Sequence, residues 1–139
     1  MAADRKFATA VHILTGIAVA SELGTLVKSK KLAESVNTNP AVIRKIIIQL
    51  THAGIVESTI GKTGGFRLIR SPKHVKLLDI YIAVSDEPAL DVSSRAVNKT
   101  CMISCNIKEV LKPILMDAEE ALKKSLSTKT LGDVVTGVM

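Results

Sequence analysis

A mainly α-helical fold carrying one small β-hairpin is predicted by three observations. Apolar residues recur at helical spacing through most of the chain. The period shortens to two only over residues 55–70, on either side of Gly61, Gly64 and Gly65. A stripe of Ile107, Val110, Leu111, Ile114, Leu115, Ala118, Ala121 and Leu122 marks one long helix near the C-terminus.

Each element follows in order. Phe7, Val11, Leu14 and Ala18 share a helical face, which predicts a first helix over residues 4–20, ending near Gly24. Arg5-Lys6 ahead of an apolar run and Ala18-Val19-Ala20 also outline a secretory signal. Thr9, His12 and Thr15 interrupt that run, and the shared face favours a structural helix. Residues 25–27 read as a short extended piece. A second helix is expected over 29–36, with Ser29 as N-cap and Leu32, Ala33 and Val36 inward. Asn39-Pro40 then opens a third helix over 40–53, because Pro suits the first turn after a capping Asn. Its apolar side is Val42, Ile43, Ile46, Ile47 and Leu50, and Gly54 is its stop.

Residues 55–60 and 66–70 predict two strands joined by a glycine-rich turn, with Ser71-Pro72 ending the hairpin. A fourth helix is expected over 75–84 on Leu77, Leu78, Tyr81 and Ile82. Residues 85–100 read as a long connection. The last long helix is expected from near Asn106 to about 126, kinked or delayed by Pro113, with a final short turn over 131–135. The chain thus divides into residues 1–84 and residues 85–139.

Composition narrows the function. The chain has 139 residues, 47% of them hydrophobic, enough for one domain with a real core. Aromatics are 2%, namely Phe7, Phe66 and Tyr81, which excludes a stacking platform for single strands. No apolar run approaches the ~18 residues of a membrane span, so no membrane partner is expected. Two thiols without a disulfide framework suit the cytoplasm. Gly61-Lys62-Thr63 mimics the end of a phosphate-binding loop, but Val56 stands where the first Gly is required. No nucleophile-elbow, zinc-protease or paired-cysteine motif is present, and Asp86-Glu87 has no partner, so an enzyme is not expected.

Charge is the positive signal. Residues 1–76 carry 12 Lys and Arg against 4 Asp and Glu, a balance of +8. Residues 77–139 carry 7 against 9, a balance of −2. Two helices around a tight break, then a basic glycine-tipped hairpin, form the winged helix-turn-helix order. A helix fits the major groove of double-stranded DNA, while the hairpin reaches the backbone or the minor groove. Candidate DNA-binding residues are Ser29, Asn39, Ala41, Arg44, Lys45 and Gln49 on the helices. On the hairpin they are Lys62, Gly64, Gly65 and Arg67, the glycines allowing backbone amides to approach a phosphate. The competing readings are a solvated basic surface and a winged-helix adaptor that binds protein, and the charge asymmetry favours DNA.

The match becomes specific at Leu32-Ala33, residues 46–50, Ala53-Gly54-Ile55-Val56-Glu57-Ser58, Gly61, Gly64-Gly65-Phe66 and Leu68. It continues through Leu77-Leu78-Asp79-Ile80, Ala83-Val84 and Thr130-Leu131-Gly132-Asp133. These residues resemble the Rrf-two-type bacterial transcription regulators over almost the whole chain. The resemblance implies a homodimer gripping a pseudo-palindromic operator, and the chain is read as a repressor or dual regulator. It further implies that the long helix pairs through Ile107, Val110, Leu111, Ile114, Leu115, Ala118 and Leu122. Cluster-binding members carry three cysteines with five residues between successive ones, whereas this chain has Cys101 and Cys105 with three residues between. Asn98-Lys99-Thr100-Cys101 is similar to an Asn-x-x-Cys run in the cluster-free subgroup. No cofactor and no metal are therefore expected, and an iron–sulfur cluster is disfavoured by ligand count. Cys105 is expected just before the long helix, a position that favours thiol reactivity. A thiol switch, a zinc shared between chains and inert cysteines stay open.

Overall fold

The protein, described here by a computed structural model covering residues 2–139, is built from six α-helices and a two-stranded hairpin. Helix α1 spans Ala2–Glu22. Ala10, Ile13, Leu14, Ile17 and Ala18 bury completely along one of its faces. Thr9 and Thr15 do not interrupt it, because each hydroxyl donates to a carbonyl four residues back, on Arg5 and Val11. α1 is the axis of the core, packing against α2, α3, α4 and α6 as well as the hairpin.

Helices α2 (Ser29–Val36) and α3 (Pro40–His52) meet at a sharp turn closed by Asn37 in the left-handed region at φ 66°. Thr38 N–H reaches back to the Ala33 carbonyl, satisfying the end of α2. Lys28, not Ser29, is the N-cap of α2; Ser29 is already helical and makes no capping bond. Asn39 does cap α3, its Oδ1 accepting from Val42 N–H at 3.1 Å. Ile43, Ile46, Ile47 and Leu50 anchor α3 to the core, whereas Val42 stays partly exposed.

Strands β1 (Val56–Thr59) and β2 (Gly65–Leu68) are shorter than the alternating pattern predicts. Glu57 faces Arg67 and Ser58 faces Phe66 in the antiparallel register. Val27 adds a bridge on the far side, accepting from Phe66 N–H at 2.8 Å, which accounts for the extended piece before α2. A 3₁₀ turn, Pro72–His74, leads into α4 (Leu77–Val84). α4 begins two residues later than expected because Val75 is taken: it is fully buried and its carbonyl accepts from Leu131 N–H.

Helix α5 spans Met102–Ser127 with Pro113 inside it, so Pro113 does not delay its start. Helix α6 (Leu131–Val138) is a full element with a reciprocal cap between Thr130 and Asp133, not a short turn. Leu131 and Val135 bury in the same cluster as Ile13, Ile17 and Ile80. Each such burial contributes about 1.5–3 kcal/mol. The winged unit closes only when the chain returns at 131–138, and α5 is an arm between two segments of one core. Tyr81 lies edge-on to Phe7 with centroids 5.8 Å apart, and its hydroxyl donates to Glu119 of α5 at 2.6 Å.

Candidate nucleic-acid interface and the long helix

The solvent face of α3 carries Ala41, Arg44, Lys45 and Ile48, spaced at three and four residues and all exposed. Asn39 stands exposed at its start. Gln49 belongs elsewhere. It is only half-exposed, and its Oε1 is buried with no hydrogen-bond partner among the described residues. The position expected of Gln49 on the outward face is filled by Ile48.

The hairpin separates its two cations. Lys62 is exposed in the turn and makes no ion pair among the described residues. Arg67 is held by an ion pair and a hydrogen bond to Glu57, directly across the ladder, so its charge is largely compensated. Gly64 and Gly65 let the turn close tightly against neighbouring backbone. Gly64 and Gly65 are buried. A Cβ on Gly64 would lie 2.1 Å from the Thr59 carbonyl oxygen, and one on Gly65 would lie 2.6 Å from that of Val27. The Gly64 amide donates to the Gly61 carbonyl at 3.1 Å.

Three basic residues join the site that sequence reasoning passed over. Lys28, Lys30 and Lys31 are exposed and, with Lys62, line a groove of about 1270 Å³ between the start of α2 and the hairpin turn. Lys28 Nζ donates to the Gly61 carbonyl at 2.9 Å, tying the turn to α2. The signal lay in the run Lys28-Ser29-Lys30-Lys31, which the helix-start reading absorbed. The positive end of α2 adds to this field.

No residue of α5 is buried. The expected dimer stripe splits in two. Leu111, Leu115 and Leu122 are half-covered by their own chain, whereas Ile107, Val110, Ile114 and Ala118 face solvent together with Met102 and Ile103. Six apolar side chains on one helix exceed the scattered exposure ordinary in a monomer.

The cysteines sit differently from expectation. Cys101 is the N-cap of α5, its Sγ accepting from Ser104 N–H at 3.5 Å. Cys105 lies inside the first turn rather than before the helix. It is exposed, and its thiol donates toward the carbonyls of Asn98 and Lys99 at 3.7 and 3.5 Å. Among the described residues, no three His, Cys, Asp or Glu side chains converge to hold a metal.

A two-helix reader, a braced basic hairpin and a long arm define a winged-helix regulator of transcription. A family model for Rrf2, described as iron-dependent transcriptional regulators, matches residues 3–137, and the chain belongs to this family. YwnA of Bacillus subtilis (strain 168), named as an HTH-type transcriptional regulator, is 32% identical over 132 residues, covering 95% of this chain and 96% of its own. The solved structure of T. potens IscR superposes with a TM-score of 0.71 at 23% identity, covering 96% of this chain and 85% of that one. CymR, the global cysteine regulator of B. subtilis, superposes at 0.66 and 22% identity over 94% and 93%. The protein is thus a DNA-binding transcription regulator, not an enzyme. Among the described residues, no helix is long and apolar enough to cross a membrane. The iron in the family's description does not fit this donor set: a chain with two thiols, one capping a helix and the other turned toward two carbonyls, falls short of the usual four thiolates.

Proposed function

We propose that the protein is a homodimeric repressor that occupies a pseudo-palindromic operator without a resident iron–sulfur cluster. The observation that carries this reading is α5, 26 residues long with no buried side chain and with Ile103, Ile107, Val110 and Ile114 exposed on one face. Pairing this face with a second copy covers it and sets two α3 helices side by side. Two readers spaced about one DNA turn apart, ~34 Å, match successive major grooves. Arg44 and Lys45 meet base edges and phosphates there, and Ala41 with Ile48 offers apolar contact to thymine methyls. Lys28, Lys30, Lys31 and Lys62 neutralise the flanking backbone. A dimer seated in this way excludes polymerase from the same DNA.

The regulatory input in this reading is Cys105. Peroxide would transfer one oxygen to the Cys105 sulfur, giving a sulfenic acid and water. The enlarged group stands against Asn98 and Lys99, in the connection that leads from the winged unit to α5. The test is selection of duplexes from random sequence by the purified protein, in reductant and in peroxide. The expected result is a two-fold-symmetric motif whose retention falls in peroxide. Selection of no motif would contradict the reading.

A further inference from the structure

We propose that Ile60 is an apolar minor-groove reader at the tip of the wing, selecting A·T over G·C pairs beneath it. This rests on the DNA-binding reading above and deepens it. Ile60 is 98% exposed, while Ile55 and Val56 of the same hairpin are fully buried. It lies between the last residue of β1 and Gly61, in the turn itself. The turn is braced: the Gly61 carbonyl accepts from Lys28 Nζ at 2.9 Å and from the Gly64 amide at 3.1 Å. Gly61 holds the turn at φ 115°, a conformation that a side chain would strain.

The chemistry around Ile60 is asymmetric. Lys62, two residues on, is exposed, whereas Arg67 is compensated by Glu57. The wing turn therefore presents exposed Ile60 beside Lys62, a cation with no ion pair among the described residues. Such a pair suits the minor groove, whose walls are phosphates. On its floor, A·T pairs show acceptors only, while G·C adds the guanine amino donor. Isoleucine has no acceptor for that donor and would strip its water without replacing it. A·T steps, and flexible pyrimidine–purine steps above all, admit an apolar wedge most readily.

The test uses the full chain and a duplex selected from random sequence by the wild-type protein, with the pairs under the wing located by footprinting. Those pairs are changed from A·T to G·C, and separately to inosine·cytosine, which keeps the major-groove face of G·C but lacks the minor-groove amino group. The G·C change is expected to weaken the wild type about tenfold, and inosine·cytosine to restore binding. Ile60→Ala, which removes no buried contact, is expected to shrink the G·C penalty below about threefold with an unchanged salt slope. Lys62→Ala is expected to lower the salt slope and keep the penalty. The same G·C penalty in Ile60→Ala as in the wild type overturns the proposal. So does inosine·cytosine binding as weakly as G·C. If the wild type selects no duplex, the DNA-binding reading falls and the wedge with it. If it selects one and Ile60→Ala behaves as wild type, the wedge alone falls.

Discussion

Tyr81 of α4 donates its hydroxyl to Glu119 of α5 at 2.6 Å, and the other Glu119 oxygen accepts from the Ala89 amide at 3.3 Å. One carboxylate thus ties the winged unit, the connection and the long arm together. Tyr81→Phe keeps the ring against Phe7 and removes this donor. It should cost about 1–3 kcal/mol, measured by urea unfolding, since the hydrogen bond is to a charged group. An unchanged midpoint would mean that the arm is held by packing instead.

Glu57 masks Arg67 on the hairpin. Glu57→Gln should release that cation toward DNA. Binding to random duplex should tighten at low salt, and the dependence of log affinity on log salt should steepen by about one. Equal slopes for both proteins would show that Arg67 does not reach the backbone even when unpaired.

On α3, Arg44→Ala should cost about 1–3 kcal/mol on a selected site by removing a base or phosphate contact. The check is a titration against selected and random duplexes. Affinity equal to wild type on both would remove α3 from the interface.

Gly64→Ala should break the wing without touching DNA directly. The added carbon would overlap the Thr59 carbonyl, so the strand ends must part. Amide exchange in residues 56–68 should accelerate while the amides of α1 stay protected. Uniform protection would mean that the hairpin absorbs the methyl.

Protein purified without air should be colourless, and peroxide should weaken operator binding through Cys105. Cys105→Ser should bind equally in reductant and peroxide. Visible charge-transfer absorbance, or an unchanged peroxide response in the variant, would contradict this assignment.

The helices and hairpin were legible because their apolar residues repeat at 3.6 and 2, and because Asn39-Pro40 and Gly54 punctuate α3. The failures have local causes. Ser29 looked like a cap, but Lys28 holds the extended backbone at that corner. Asn106 looked like the start of the long helix, yet Ile103 extends the face of Ile107, Val110 and Ile114 by one turn and Cys101 caps the helix. Gln49 fits a polar stripe by spacing, yet its side-chain carbonyl oxygen is buried. The place of α6 depends on Leu131 meeting α1, a long-range contact that local pattern does not encode. At the hairpin, sequence marks glycines as permissive, but whether they admit a phosphate or a neighbouring carbonyl is decided by the fold.

The central claim is that the exposed face of α5 joins two copies, and sedimentation equilibrium tests it most directly. Ile114 is 59% exposed in the single chain, so Ile114→Lys should leave the fold intact while placing a charge in the joint. The wild type should sediment at twice the chain mass and Ile114→Lys at the chain mass, with matching circular dichroism. A wild type that sediments as a folded monomer at micromolar concentration would contradict the account.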